Sequence, residues 1–273
     1  MYEEVPPRLH VPEPALRPGD QPDFSDIKVP RAGEVRRPDP GDNPESMRDL
    51  AFSIIRVLNR DGEAVGPWAG LLDDEALIAG LRHMMTLRTY DARMMMAQRQ
   101  GKSSFYMQHL GEEAISCAFQ TALRKGDMNF PTYRQAGLLI TSGYPMVKMM
   151  NQVYSNDGDP VRGRQLPVFY SSKEHGFFSI SGNLATQYPQ AVGWAMAAAI
   201  KGERKLAVGW IGDGSTAESD FHGALVFAST YKPPVILNIV NNQWAISTFQ
   251  GIARGGAGTF AARAHGFGLP ALR

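Results

Sequence analysis

The sequence has very little cysteine and no long hydrophobic run. Only Cys117 among the 273 residues is a cysteine, which excludes an intramolecular disulfide framework and a cysteine-based zinc cluster. The longest uncharged stretch, residues 176–200, contains Asn183, Gln187 and Pro189, so it is a poor membrane span. These absences predict a protein of a reducing compartment that has no membrane anchor.

An excess of charge of one sign is also absent. The 28 Lys and Arg residues balance 27 Asp and Glu, for a net charge of +1, which argues against nucleic-acid or polybasic membrane binding. The chain opens with Glu3, Glu4 and several prolines, and not with the basic and apolar regions of a targeting peptide. We therefore expect a cytoplasmic location or another reducing intracellular compartment.

Proline is concentrated at the beginning of the chain. Ten of the 19 prolines fall between Pro6 and Pro44, and proline removes amide donors and disfavours helix at the residue before it. Residues 1–45 are therefore predicted to be an extended arm, either a disordered tail or an arm that lies along a partner subunit. Residues 46–273, which hold most of the 43% apolar composition, are predicted to form an α/β domain.

Apolar patterning predicts a parallel sheet flanked by helices. Two short apolar runs, residues 206–211 and 235–240, enclose a helical segment over 215–231, for which Ser215 and Glu218 fit a capping box. This order is that of a parallel β-α-β unit. Further helices are predicted over 73–101, 112–123, after 134, and over 188–200, where small residues would allow close packing.

Polar residues follow both predicted strands. Asp213 comes directly after the first, and Asn242 after the second. Since ligands bind at the carboxyl ends of parallel strands, these two oxygen donors are expected to face one crevice and suit Mg²⁺. The glycines beside Asp213 and the helix predicted to start near Ser215 favour a diphosphate there. Either motif alone is usually a plain turn, and their pairing in one unit makes the signal specific.

Several nucleotide-binding motifs are missing. No G-x-x-x-x-G-K-[ST] loop occurs, and no G-x-G-x-x-G follows a strand, which disfavours a P-loop nucleotidase and a dinucleotide-dependent dehydrogenase. A Mg²⁺-dependent phosphohydrolase that uses Asp213 is the alternative class. It would need a nucleophilic Asp after an earlier strand and a downstream acidic pair, and neither is evident in the sequence.

The motif around Asp213 resembles a known cofactor signature. Gly212-Asp213-Gly214, followed by 26 residues and Asn241-Asn242, is similar to the thiamine diphosphate motif. The further matching stretches are residues 133–137, 163–167, 184–187, 189–193 and 245–248. Over residues 50–273 the chain resembles the alpha subunits of the decarboxylating component of 2-oxo acid dehydrogenases. Residues 172–175 and 179–181 favour the branched-chain type.

This resemblance implies a thiamine diphosphate-binding fold and a set of binding residues. The cofactor-binding residues it implies are Tyr133, Arg134, Gly182, Leu184, Asp213, Gly214, Ser215 and Asn242. The implied Mg²⁺ ligands are Asp213, Asn242 and the backbone carbonyl of Trp244. An Arg at position 134 suits phosphate oxygens because its fork can pair with two of them. Val240 stands where relatives often carry Arg.

The resemblance also implies a K⁺ site and a substrate pocket. Residues similar to a monovalent-cation loop in some relatives are Ser181, Asn183, Thr186 and Gln187, with Gly182-Asn183 replacing the Ser-Pro of that loop. Phe105 and Tyr133 are candidates for the wall of an apolar substrate pocket, and ordinary core packing is the alternative for Phe105.

No catalytic residue is assigned in this chain. The resemblance implies that a beta subunit supplies the catalytic Glu in an α2β2 heterotetramer, and that a lipoyl-bearing transacylase accepts the acyl group from a branched 2-oxo acid. Glu112, Glu113, Glu174 and Glu218 are interpreted as helix-start or surface charges. Relatives continue past Gly268 with a loop that carries catalytic His and Ser residues, so a C-terminal part is expected to be missing. The alternatives are a pyruvate- or acetoin-type subunit and a non-catalytic scaffold.

Overall fold

The computed structural model describes residues 9–21 and 29–273. The α-helices are α1 (Asp74–Arg99), α2 (Glu113–Ala122), α3 (Ala136–Thr141), α4 (Met146–Tyr154), α5 (Gln187–Ile200), α6 (Ser219–Tyr231) and α7 (Gln250–Arg254). The strands are β1 (Met128–Phe130), β2 (Ala207–Gly212), β3 (Val235–Val240), β4 (Trp244–Ala245) and β5 (Thr248–Phe249). Shorter 3₁₀ segments are Pro44–Ala51, Lys173–His175, Gly214–Ala217 and Ala261–Phe267.

The main sheet has three strands in the order β1-β2-β3. β1 and β2 are parallel, with Met128 opposite Ala207 and Phe130 opposite Gly209. The central strand β2 is buried from Ala207 to Ile211, as expected for a strand of a parallel sheet that is covered on both faces. The predicted α/β class, a parallel sheet flanked by helices, is confirmed.

The chain folds into two compact units. The larger comprises residues 68–211 and 218–240, and the smaller includes the described residues up to 67 together with 212–217 and 241–273. The larger unit has a core around Tyr90, Met149 and Trp210, and the smaller has a cluster around Met47 and Leu50. Residues 9–21 and 29–43 contain neither helix nor strand. The part of the predicted arm over 1–8 and 22–28 lies outside the described residues, and the boundary at residue 45 stays a prediction.

Membrane-spanning helices are absent from the part of the chain that the structure describes. Within residues 9–21 and 29–273, none of the helices combines the length and the apolar character that a transmembrane span requires.

The predicted capping box at Ser215 is wrong. Residues 214–217 form a 3₁₀ turn, in which Thr216 donates its N–H (3.1 Å) and its hydroxyl (2.7 Å) to the Asp213 carbonyl. Glu218 is extended (φ −74°, ψ 150°), and α6 begins only at Ser219. The turn thus closes on Asp213 before the helix starts. At α1 the predicted start is confirmed, since Asp73 accepts a hydrogen bond from the Ala76 amide at 2.8 Å.

Small residues permit close packing of α5 on the sheet. A Cβ atom on Gly209 of β2 would lie 3.1 Å from Tyr188 Cδ1 and 3.3 Å from Ala191 Cβ. Ala195 and Ala198 of the same helix are also buried. Gly193 differs, because a Cβ at that position would meet nothing within 4 Å. The close approach predicted for this helix is therefore made at Ala191, and Gly193 does not take part in it.

Among the described glycines of the larger unit, Gly137 of α3 leaves the least space for an added Cβ atom. A Cβ there would lie 2.2 Å from Ser116 Oγ and 3.0 Å from Cys117 Sγ on α2. We expect Gly137→Ala to lower the free energy of unfolding by about 1–3 kcal/mol through overpacking. Gly193→Ala is the matched control, and its expected effect is a gain of up to about 1 kcal/mol from helix propensity. Urea denaturation measures both, and equal effects of the two variants would contradict the packing described here.

Candidate cofactor and metal site

The candidate site residues divide between the two units. Asp213, in the smaller unit, is 2% exposed. Burial raises the pKa of its carboxyl, and the backbone N–H groups of Asp213, Gly214 and Asn242 offset only part of this effect. Among the described residues, no group bonds to the buried Oδ2 atom. A buried carboxylate oxygen without a partner is costly, and a bound cation would satisfy it.

Asn242 lies beside Asp213, as the strand-end pattern predicts. Its backbone N–H is directed at the Asp213 carboxyl. Its side-chain Oδ1 accepts from the Trp244 amide at 3.1 Å. One residue earlier, Asn241 Oδ1 accepts from the amide of Gln243 at 2.9 Å, whose φ is +73°. These local hydrogen bonds shape the turn before the β4–β5 hairpin, and the amide oxygen of Asn242 keeps a second lone pair for a ligand.

Gly214 allows the Asp213 loop to touch the hairpin. A Cβ on Gly214 would stand 2.3 Å from the Cβ of Ala245. No side chain larger than hydrogen fits there without movement of one of the two loops. Gly212, two residues earlier, has no atom within 4 Å of such a Cβ. The close approach is therefore specific to position 214.

The residues around Asp213 fit a Mg²⁺ ion. Asp213, Asn242 and Trp244 all belong to the smaller unit, and they offer one carboxylate, one amide and one backbone carbonyl. Within residues 9–21 and 29–273 there is no group of three or more His, Cys, Asp or Glu side chains placed so that they could hold a metal ion together. A site with a single carboxylate suits Mg²⁺, which keeps water and phosphate oxygens in its remaining positions.

Arg263 supports the loop that follows Asp213. Its Nη1 donates to the carbonyl of Thr216 at 2.8 Å and to that of Ala253 at 3.2 Å, and burial lowers its pKa. Ser215 and Thr216 are themselves buried. The loop is thus held at both ends, by the 3₁₀ turn on Asp213 and by this guanidinium.

In the larger unit, Tyr133 and Arg134 lie together after β1. The Tyr133 ring stacks on Phe169 (centroids 6.3 Å apart, planes 12° apart), and the Arg134 guanidinium lies 5.5 Å from the Tyr133 ring centroid. Arg134 Nη1 donates to the Gln108 carbonyl at 2.5 Å, and its Nε is 3.9 Å from Glu112 Oε1. The Arg134 side chain is 29% exposed, so its guanidinium remains accessible to an anionic group although these contacts hold it in place.

The loop from Ser181 to Gln187 is closed by its own hydrogen bonds. Ser181 Oγ accepts from the Asn183 amide (3.1 Å), Thr186 donates to the Asn183 carbonyl (2.9 Å), and Gln187 Nε2 donates to the Ser181 carbonyl (3.1 Å). Gln187 Oε1 is buried, with no partner in the described chain. The four residues are therefore neighbours, and the K⁺ site stays a prediction.

Leu184 is presented outward by that loop. Its side chain is 51% exposed, and it precedes Ala185, which is fully buried with φ +64°. Gly182 lies close to Phe169, because a Cβ atom added at position 182 would be 3.5 Å from the Phe169 ring. A buried alanine in the left-handed region is strained backbone of the kind that often occurs at ligand sites.

Phe105 is not a core residue. It is 38% exposed, so the core-packing alternative for this side chain is wrong. Tyr133 is half-buried. Their assignment to a substrate pocket stays a prediction.

Two of the four glutamates interpreted as helix-start or surface charges, Glu112 and Glu113, stand at the start of α2, as its N-cap residue and its first residue. Glu113 is buried and accepts from Arg88 Nε at 2.5 Å and from the Gly111 amide at 2.9 Å. Glu112 faces Arg134 and accepts from Gln135 at 3.3 Å. Burial raises the pKa of Glu112, an effect that the positive charge of Arg134 opposes. The helix-start interpretation is therefore confirmed for both residues, and the surface-charge alternative is wrong for Glu113, which is buried, and for Glu112, whose side chain is only 12% exposed.

Sequence reasoning also missed Asp91. This residue of α1 is fully buried, and its carboxylate binds His109 and Tyr106. Burial by itself would raise the pKa of Asp91, but the hydrogen bonds and charge of His109, with help from Tyr106, outweigh it and hold the pKa below its usual value. The available signal was an acidic residue within the apolar stripe that runs from Leu87 to Met94.

Comparison with known proteins assigns the family. The model described as "Dehydrogenase E1 component" matches residues 81–273. A second model, "2-oxoisovalerate dehydrogenase E1 alpha subunit N terminal", matches residues 5–45. The chain belongs to the dehydrogenase E1 component family.

The curated relatives compared with this chain are alpha subunits of 2-oxoisovalerate dehydrogenases. The chain is 61% identical over 273 residues to the 2-oxoisovalerate dehydrogenase subunit alpha of Pseudomonas aeruginosa, and the match covers all of this chain and 67% of that protein. It is 39% identical over 244 residues to the mitochondrial 2-oxoisovalerate dehydrogenase subunit alpha of Mus musculus, covering 86% of this chain and 55% of the mouse protein. It is 39% identical over 206 residues to the mitochondrial 2-oxoisovalerate dehydrogenase subunit alpha 1 of Arabidopsis thaliana, and this match covers 75% of this chain and 43% of the Arabidopsis protein. The chain thus spans about two thirds or less of these relatives.

Proposed function

We propose that this chain is part of the alpha subunit of a branched-chain 2-oxo acid dehydrogenase. The reaction is the oxidative decarboxylation of a branched 2-oxo acid, with reductive acylation of a lipoyl group on a transacylase. The family match and the named relatives support this proposal. The observation that carries it within the structure is the buried Asp213 oxygen without a partner, beside Asn242.

Asp213, Asn242 and the Trp244 carbonyl would hold Mg²⁺. The turn that contains Gly214 and Ser215 directly follows the metal ligand and would then contact diphosphate oxygens, with the Ser215 amide as the donor because the Gly214 amide bonds to the Asp213 carboxyl. Arg134 would neutralise phosphate charge with a bidentate fork, and Leu184 would offer an exposed apolar contact to the cofactor. Thiamine diphosphate, when bound, supplies a carbon nucleophile and an electron sink for the loss of carbon dioxide.

The site residues of this chain lack a group for proton transfer, so the reaction requires a second subunit that supplies one. None of the site residues described above is a carboxylate placed for proton transfer, because Asp213 is assigned to the metal and Glu112 is turned to Arg134 and Gln135. We propose that a beta subunit supplies the catalytic Glu in an α2β2 assembly. The role of this chain is then to bind and orient the cofactor and to exclude water from it.

The proposal predicts activity only in the assembled enzyme. With thiamine diphosphate and Mg²⁺, the complete alpha subunit that contains this chain, co-expressed with a beta subunit, should decarboxylate 2-oxoisovalerate with a higher kcat/KM than pyruvate. That alpha subunit alone and the beta subunit alone should show no turnover. Carbon dioxide release with an artificial electron acceptor measures each case.

Three results would contradict this assignment. Turnover by the chain alone would overturn the shared site. A preference for pyruvate or acetoin would favour the alternative subunit types. Failure of the complex to bind thiamine diphosphate would favour a scaffold role.

A further inference from the structure

A single buried carboxylate organises the segment that precedes α2. Asp91 Oδ1 accepts from the Tyr106 hydroxyl and lies 2.7 Å from His109 Nδ1, while Oδ2 accepts from the His109 amide at 2.6 Å. Asp91 and His109 are completely buried. The Asp91 carboxylate therefore binds both ends of the four residues 106–109.

The same segment holds Arg134. Gln108 lies between the two residues that Asp91 binds, and its carbonyl accepts from Arg134 Nη1 at 2.5 Å. Glu112, at the end of the segment, is 3.9 Å from Arg134 Nε and 3.3 Å from Gln135 Nε2. The orientation of the Arg134 fork thus depends on where residues 106–112 place one carbonyl and one carboxylate.

The Asp91 network costs more free energy than a role in packing alone would explain. Burial of a carboxylate costs free energy that well-packed apolar residues would avoid. His109 Nε2 is buried as well, and no described residue bonds to it. What the network provides is a fixed geometry, because it holds the Gln108 carbonyl in place to accept a hydrogen bond from the Arg134 guanidinium.

We propose that Asp91 is a positioning residue for Arg134, acting through His109, Tyr106 and the Gln108 carbonyl to aim the guanidinium at an anionic ligand. The ligand class is the diphosphate of the cofactor, so the inference rests on the proposed function. Asp91 itself touches no ligand in this scheme. It sets the affinity for the diphosphate by keeping Arg134 in one orientation.

The test is a double-mutant cycle in the assembled alpha–beta complex. Calorimetry measures the Kd for thiamine diphosphate with Mg²⁺ in the wild type, Asp91→Asn, Arg134→Gln and the double variant. Asparagine keeps the volume of Asp91 but cannot accept both the hydroxyl and the amide bonds with the same pair of oxygens. We expect Asp91→Asn to raise the Kd about tenfold, as loss of a charge-assisted network allows. The double variant should bind no more weakly than Arg134→Gln alone.

Two further measurements separate positioning from a structural effect. Asp127→Asn is the matched control, since Asp127 is also buried and accepts from two backbone amides, those of Arg124 and Leu206, at 2.8 Å. It should leave the Kd unchanged. At saturating cofactor, the KM for 2-oxoisovalerate should stay the same in Asp91→Asn.

The outcomes separate this inference from the proposed function. Additive effects of Asp91→Asn and Arg134→Gln, an unchanged Kd in Asp91→Asn, or an equal loss in Asp127→Asn would overturn the positioning role. If Asp91→Asn fails to fold, Tyr106→Phe removes one of its hydrogen bonds, and the same non-additivity with Arg134→Gln is expected at smaller size. A wild-type complex that binds no thiamine diphosphate would contradict the proposed function before any variant is compared.

Discussion

Asp213→Asn is expected to abolish Mg²⁺-dependent cofactor binding while leaving the metal-free protein at least as stable as the wild type. The carboxylate is desolvated, its pKa is raised by burial, and one oxygen has no partner among the described residues. In the absence of metal, this charge is a cost that a neutral amide of the same shape relieves. In the presence of metal, the same charge is the main attraction for the ion.

Two measurements show these opposite effects. Calorimetry on the alpha–beta complex should show a loss of at least about hundredfold in cofactor affinity, on the scale of removing a fully buried charge. Thermal unfolding without metal should give an equal or higher Tm. Glu218→Gln, an exposed carboxylate five residues later, is the control and should match the wild type in both. Cofactor affinity that persists in Asp213→Asn would remove the metal assignment.

Gly214→Ala is expected to disrupt the same site through shape alone. The added methyl group would lie 2.3 Å from the Ala245 Cβ, a distance that forces the loop after Asp213 away from the hairpin that carries Trp244. Overpacking of this kind costs about 1–3 kcal/mol. If that strain is relieved by moving the loop, cofactor affinity falls by the corresponding factor, roughly 10 to 100.

The chain offers both a control and a rescue for this prediction. Gly212→Ala adds the same methyl group two residues earlier, into space with no atom within 4 Å, and should leave cofactor affinity near the wild-type value. Ala245→Gly removes the opposing methyl group, so the variant with both Gly214→Ala and Ala245→Gly should recover binding. Isothermal titration compares the four proteins. A loss that Ala245→Gly does not restore would show that the contact is not the cause.

Local patterns were sufficient for two of the five strands in the described residues and for most helices, whereas the short strands β1, β4 and β5 were not predicted. Buried parallel strands are continuous apolar runs, so residues 206–211 and 235–240 could be identified as β2 and β3 to within a residue. Asp73 marks the start of α1 because its side chain caps the helix locally. The capping-box prediction failed at Ser215, since the amide and hydroxyl of Thr216 bond to the Asp213 carbonyl and close a tighter turn first.

The sequence by itself determined the position of Asp213 and Asn242 at two strand ends, and with them the family, because strand period and motif spacing are local properties of the chain. Tertiary structure alone decided that Asp91 is buried against His109, that Glu112 faces Arg134, and that Phe105 is exposed. These facts depend on contacts between segments that are 15 to more than 20 residues apart. Burial and partner choice at such distances arise from packing of whole elements, which no local pattern encodes.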